Sequence, residues 1–199
     1  MDADVAVVPA NEAPCEDLKV LFGTRGAASR CQCQRYKLEP RESFTSVPAE
    51  VRADRLRQQT DCGHPESHAT SGLVAYLAAE PVGWCAVEPR SGYDGLVRVY
   101  MVPWAGRSED PDDEHVWAVT CLFARAGFRR RGVSRALARA AVNFARVRGA
   151  RALESYPMTT TAAAIAEELH VGTYDTFVAA GLREVSKPTP RRVVMRIDF

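Results

Sequence analysis

The residues with the clearest chemistry are Arg129-Arg130-Arg131-Gly132, followed by Val133-Ser134. They stand between an apolar run, 116–124, and a segment whose apolar residues recur at helical spacing. The first amides of a helix lack intrahelical partners and its dipole favours negative charge, so a helix opening at Gly132 or Ser134 is a phosphate site. Gly132 lets a phosphate approach the backbone with no side chain in the way, and the arginines add charge-assisted bonds. Two other readings of the same residues are a solvated basic turn and a nucleic-acid patch; against the second, only Phe128 accompanies the arginines as an aromatic.

A second constellation is Cys31, Cys33, Cys62, His64 and His68, types that serve as structural zinc ligands. Cys-x-Cys is a poor zinc spacing, and buried thiols are the preferred reading, with no metal expected. The chain has six cysteines; in the cytoplasm, where the acidic start Met1-Asp2-Ala3-Asp4 places it, a disulfide framework is not expected.

Charge is balanced overall, 26 Lys and Arg against 25 Asp and Glu, which gives no global reason to seek nucleic acid or a membrane surface. Locally it is uneven. Residues 115–153 hold nine arginines and no acid, whereas 109–114 is acidic at every position but Pro111. That acidic run is either a solvated loop or an attractor for a cationic amine. Arginine in place of lysine, of which there are three, together with the alanine content, suggests a GC-rich bacterial genome.

These residues need a scaffold, and 199 residues at 46% hydrophobic suffice for one domain. Residues 1–14 carry Pro9 and Pro14 without a sustained period and read as a flexible tail, with a single domain over 15–199. The stretch 15–36 reads as a glycine-punctuated loop leading to a short alternating segment, and 48–59 as a helix. Runs 73–78 and 82–87 form a hairpin, 116–124 a buried strand, and 134–147 an amphipathic helix with apolar residues at 133, 137, 140, 141, 144 and 147. A strand over 152–156, helices over 162–169 and 173–180, and a strand over 192–199 complete a mixed α/β domain.

Residues 129–134, after the strand 116–124 and before Leu137, resemble the acyl-CoA pyrophosphate loop of the GCN5-related N-acetyltransferase (GNAT) superfamily, Arg/Gln-x-x-Gly-x-Gly/Ala, with Ser134 in the final small position. Pro81-Val82-Gly83-Trp84 resembles that family's hairpin between its second and third strands, and 177–185 its helix exit into strand six. Cys31-Gln32-Cys33, Glu88-Pro89-Arg90, Tyr156-Pro157 and Val194-Met195-Arg196 look like an actinobacterial branch. The resemblance spans about residues 15–199 and is strongest from 72 onward.

It implies a central mixed, mostly antiparallel sheet flanked by helices, and transfer of an acyl group, acetyl by default, from acetyl-CoA to an amine of a small molecule or a protein lysine. Pantetheine would run beside 116–124 as an extra strand, lined by Leu122, Phe123 and Ala124, with the amides near Phe123 and Ala124 facing the thioester carbonyl. Glu154 is the nearest carboxylate to take the amine proton, with an exposed strand charge as its alternative. Phe177 stands where the family has an acid tyrosine; Tyr174, one turn earlier, or Tyr156 is the substitute, and Tyr174 is otherwise a packing residue. Phe177 also leaves open a non-catalytic CoA-binding module, and the Cys/His group a zinc-stapled interaction domain. The acceptor and the oligomeric state are not legible.

Overall fold

A computed structural model describes residues 4–98, 100–159 and 168–199. In chain order its strands are β1 (Val5–Pro9), β2 (Leu73–Leu77), β3 (Glu80–Pro89), β4 (Val116–Ala124), β5 (Ala152–Ser155), β6 (Arg183–Thr189) and β7 (Arg192–Asp198). The helices are α1 (Cys15–Phe22), α2 (Gly26–Cys31), α3 (Ala49–Thr60), α4 (Asp94–Arg98), α5 (Val133–Val147) and α6 (Tyr174–Val178). The strands make one sheet in the spatial order β1-β2-β3-β4-β5-β7-β6. Among the described strands only the β4–β5 pair is parallel.

Helix α5 lies on one face of this sheet. It buries Val133, Leu137, Ala138, Ala141, Val142 and Ala145 while Arg135, Arg139 and Arg146 stay exposed. The buried stripe is rotated from the expected one: Val147 is 77% exposed, and Ala138, Val142 and Ala145 take the inner positions. Burying a Leu or Val side chain contributes about 1.5–3 kcal/mol, so this face fixes where α5 begins. On the opposite face α1 packs Leu18, Leu21 and Phe22 against Trp84 and Cys121. The long connection between β3 and β4 adds Tyr93, Leu96 and Val102, packed with Ala118, Tyr156 and Val194.

Against the expected tail over 1–14, residues 5–14 are part of the fold. Val5–Pro9 pairs antiparallel with β2, and Ala10 and Ala13 are buried beyond it. The stretch 15–36 holds α1 and α2 rather than a loop with an alternating segment. Helix α1 has apolar residues at 18, 21 and 22, a helical spacing too short to stand out before Gly23. The expected helix 162–169 falls almost wholly outside the described residues; Leu169 opens a 3-10 turn, Leu169–Val171. A disulfide joins Cys15 and Cys62, against the expectation of free thiols. Among the described residues no helix is long and apolar enough to cross a membrane.

Candidate active site

The parallel pairing of β4 with β5 is short. It runs from Val116↔Ala152 to Val119↔Ser155, after which β5 ends and β4 continues to Ala124. On its other edge β4 pairs Ala86↔Cys121 and then Val87↔Val119, leaving Thr120 as the extra residue of a bulge. A bulge bends its strand, so β4 turns away from β5 where their pairing stops, and a wedge opens. Arg125 N–H donates to the Val82 carbonyl at 2.9 Å. With strand alternation, Phe123 and Cys121 also address β3, whereas Leu122 and Ala124 turn their backbone polar groups into the wedge. The backbone groups of Leu122 and Ala124 therefore point away from β3, toward the side on which 169–173 lies, whereas the expected Phe123 amide faces β3.

Beyond Ala124 the chain makes a 3-10 turn, Ala126–Phe128, and the turn 129–132 before α5. Arg130 (φ 62°) and Gly132 (φ 82°) are both left-handed, and no side chain caps the helix. The leading amides of α5 are thus left to solvent or an anion. Arg129, Arg130 and Arg131 are exposed, and Arg131 stacks on Phe128, its guanidinium carbon 5.5 Å from the ring centre. Val133 is buried over β3, and Ser134 follows in the first turn.

The other wall of the wedge comes from residues past β5. Met158 bridges Arg192 of β7 on one side and Thr173, in parallel, on the other. Since β7 lies on the far side of β5 from β4, Thr173 stands on the β4 side, in the wedge, and Leu169–Val171 packs against β4. Gly172 (φ 78°) permits this path: a Cβ there would come within 2.7 Å of the Phe177 ring. Phe177 is core, 1% exposed. Tyr174, half-buried at the start of α6, packs on the α5 side of the sheet.

Glu154 is neither exposed nor free. It is 0% exposed and takes Arg107 Nη2 at 2.5 Å, Arg196 Nη1 at 3.0 Å, Arg90 Nη1 at 3.2 Å and the Tyr156 hydroxyl at 3.0 Å. Burial alone would push its carboxyl up, but Arg107, Arg90 and Arg196 together hold it below the usual carboxylate range. A carboxylate so engaged does not accept a proton at neutral pH. It ties β5 to β7 and to the β3–β4 connection.

On the face opposite α5 is a cleft of about 370 Å³ between 35–42 and 95–100, lined among others by Tyr36, Leu38, Arg41, Arg98 and Tyr100. The Cys/His group does not assemble. Cys62 is in the disulfide, Cys33 accepts Trp84 Nε1–H at 3.2 Å, and His64 pairs with Asp61. Among the described residues no group of His, Cys, Asp or Glu is arranged to hold a metal.

A family model for the acetyltransferase (GNAT) family matches residues 34–168, more than half of the chain. The chain belongs to the GNAT family. The wedge at Thr120, the uncapped start of α5 and the Gly132 turn fit its co-substrate, acetyl-CoA, which supplies an activated acetyl thioester. A search of curated proteins gives no match. Among solved structures, an N-acetyltransferase from Staphylococcus aureus Mu50 is similar at 11% identity, 98% of this chain and 99% of that one, TM-score 0.55. A GCN5-related N-acetyltransferase from Kribbella flavida has 16% identity, 98% coverage of both chains and TM-score 0.54. The yncA protein of Salmonella typhimurium, solved with its cofactor acetyl-CoA, has 12% identity, coverage of 98% and 93%, and TM-score 0.54. These likenesses are of fold. Within the GNAT sheet, the sequence pointed to β4 and to a turn at 129–132 before α5, but not to the segment 169–173. Gly172 was its one sequence signal, a glycine shortly before an expected helix.

Proposed function

We propose that this GNAT acetyltransferase acts on the amine of a small molecule, with a protein lysine as the less favoured acceptor. A cleft of about 370 Å³ is within the range of small-ligand sites. The turn 129–134 and the first amides of α5 hold the pyrophosphate, and pantetheine lies along the open edge of β4. The amides of Leu122 and Ala124 steady the oxyanion as the amine attacks the thioester carbonyl. Tyr174 gives the departing sulfur its proton, since Phe177 has none to give. Glu154 acts at a distance, holding β5 in place. The observation that carries this reading is the wedge beside Thr120, aligned with the uncapped start of α5. We place the chain in an actinobacterial-type branch on the Cys31-Gln32-Cys33 and Tyr156-Pro157 segments, and in the cytoplasm, where acetyl-CoA is at hand. A panel of amines incubated with acetyl-CoA, read by thiol release, tests it. Acetylation of a small amine is expected; CoA binding with no turnover on any amine establishes the non-catalytic CoA-binding reading instead.

A further inference from the structure

We propose that His170 is the residue that takes the proton from the acceptor amine, a role that rests on the acetyltransferase reading above. His170 lies in the turn Leu169–Val171, which packs against β4, two residues before Gly172 and three before Thr173, the residue set in the wedge beside Met158. Its ring stacks at 6.2 Å, tilted 32°, on Tyr36, and Tyr36 both lines the 370 Å³ cleft and packs with Ala118 of β4. The imidazole is thus at the junction between the slot for the thioester and the cleft for the acceptor. Tyr174 of the same segment packs on the opposite, α5 side. One stretch of chain carries both proton-handling groups, one on each face of the sheet.

Four of the surrounding groups do not compete for the role. Burial, reinforced by the adjacent Tyr100, keeps the Tyr36 hydroxyl protonated. Glu42 at the cleft is held by Arg55 at about 2, and Glu154 is enclosed by three guanidinium groups. Arg192, whose charge also reaches Tyr36, has no proton to exchange at neutral pH. An imidazole is the side chain suited to this transfer near neutral pH.

In the step proposed, the bound ammonium gives one proton to the imidazole. The neutral amine then attacks the thioester carbon, so a C–N bond forms. Collapse of the tetrahedral adduct breaks the C–S bond, one of the two protons on the adduct nitrogen passes to the departing sulfur through Tyr174 while the other stays on the amide, and the imidazolium returns its proton to solvent.

His170→Phe keeps a ring against Tyr36 and removes the base; His170→Ala opens space for added imidazole. With an amine the parent accepts, kcat/KM for that amine should fall about 100-fold to 10,000-fold in both. CoA affinity by calorimetry should stay unchanged, and imidazole should restore rate to the Ala variant alone. Parental rates in the Phe variant overturn the histidine and leave the acetyltransferase reading intact. No turnover by the parent on any amine overturns both.

Discussion

Gly83 of β3 lies directly under Val133, the first residue of α5: a Cβ on Gly83 would stand 2.6 Å from Val133 Cγ1 and 3.0 Å from Leu137 Cδ1. The absence of a side chain on the sheet therefore sets how low the first turn of α5 can sit. Gly83→Val should displace that end. Overpacking of this kind costs about 1–3 kcal/mol, so the melting temperature should fall together with CoA affinity. Unchanged affinity in a folded Gly83→Val protein would show that the height of α5 is immaterial.

Tyr174→Phe removes the proposed proton donor and keeps the ring on the core. A positioned acid contributes about 100-fold to 10,000-fold, so the rate at saturating acetyl-CoA should drop within or below that range while CoA affinity holds. The lower end is expected, because a thiolate of pKa near 8.5 leaves tolerably unaided. An intact rate would reduce Tyr174 to packing.

Glu154→Gln should destabilise, though by less than the about 3–5 kcal/mol of a wholly unpaired buried charge, because Glu109 still pairs with Arg90, Arg107 and Arg196 around the neutral amide. Turnover per folded molecule should change little, which separates a holding role from that of a base; urea unfolding and active-site-normalised rates measure the two. The same network gives an acid limb. Glu154 is held below its unfolded value, so its stabilisation is complete above about pH 4.3 and is lost as pH falls through the folded value. In Glu154→Gln that part of the acid limb should be missing.

Reduction of Cys15–Cys62, which closes a separation of 47 residues, should lower the melting temperature; a bridge of this kind contributes about 2–4 kcal/mol. A chelator should leave it unchanged. Stoichiometric zinc by elemental analysis, with a fall in melting on its removal, would restore the metal reading of the cysteines.

What was legible in the sequence follows local pattern. Strand 116–124 and the turn 129–134 announce themselves by a long apolar run and a glycine among arginines. Strand β1 does not, since five residues closed by Pro9 become a strand only through pairing with β2. Glu154 read as a proton acceptor or an exposed strand charge, and not as a buried ion-pair hub, because its partners Arg90, Arg107 and Arg196 are 64, 47 and 42 residues away and no local spacing brings them together. Cys15 and Cys62 are paired by the same kind of long-range contact. The wedge is legible only in register: Thr120 looks like any strand threonine until Ala86 and Val87 are seen to skip it.

The proposed CoA site depends on the turn before α5, and calorimetric titration of CoA into the parent, Gly132→Glu and Arg129→Ala proteins tests it most directly. Gly132→Glu puts an anion in the pyrophosphate position at a residue with φ 82°, and Arg129→Ala deletes a charge-assisted contact of about 1.5–3 kcal/mol. Binding should be lost in the first and weakened roughly tenfold or more in the second, with both proteins folded by circular dichroism. Parental affinity for CoA in Gly132→Glu would contradict the site.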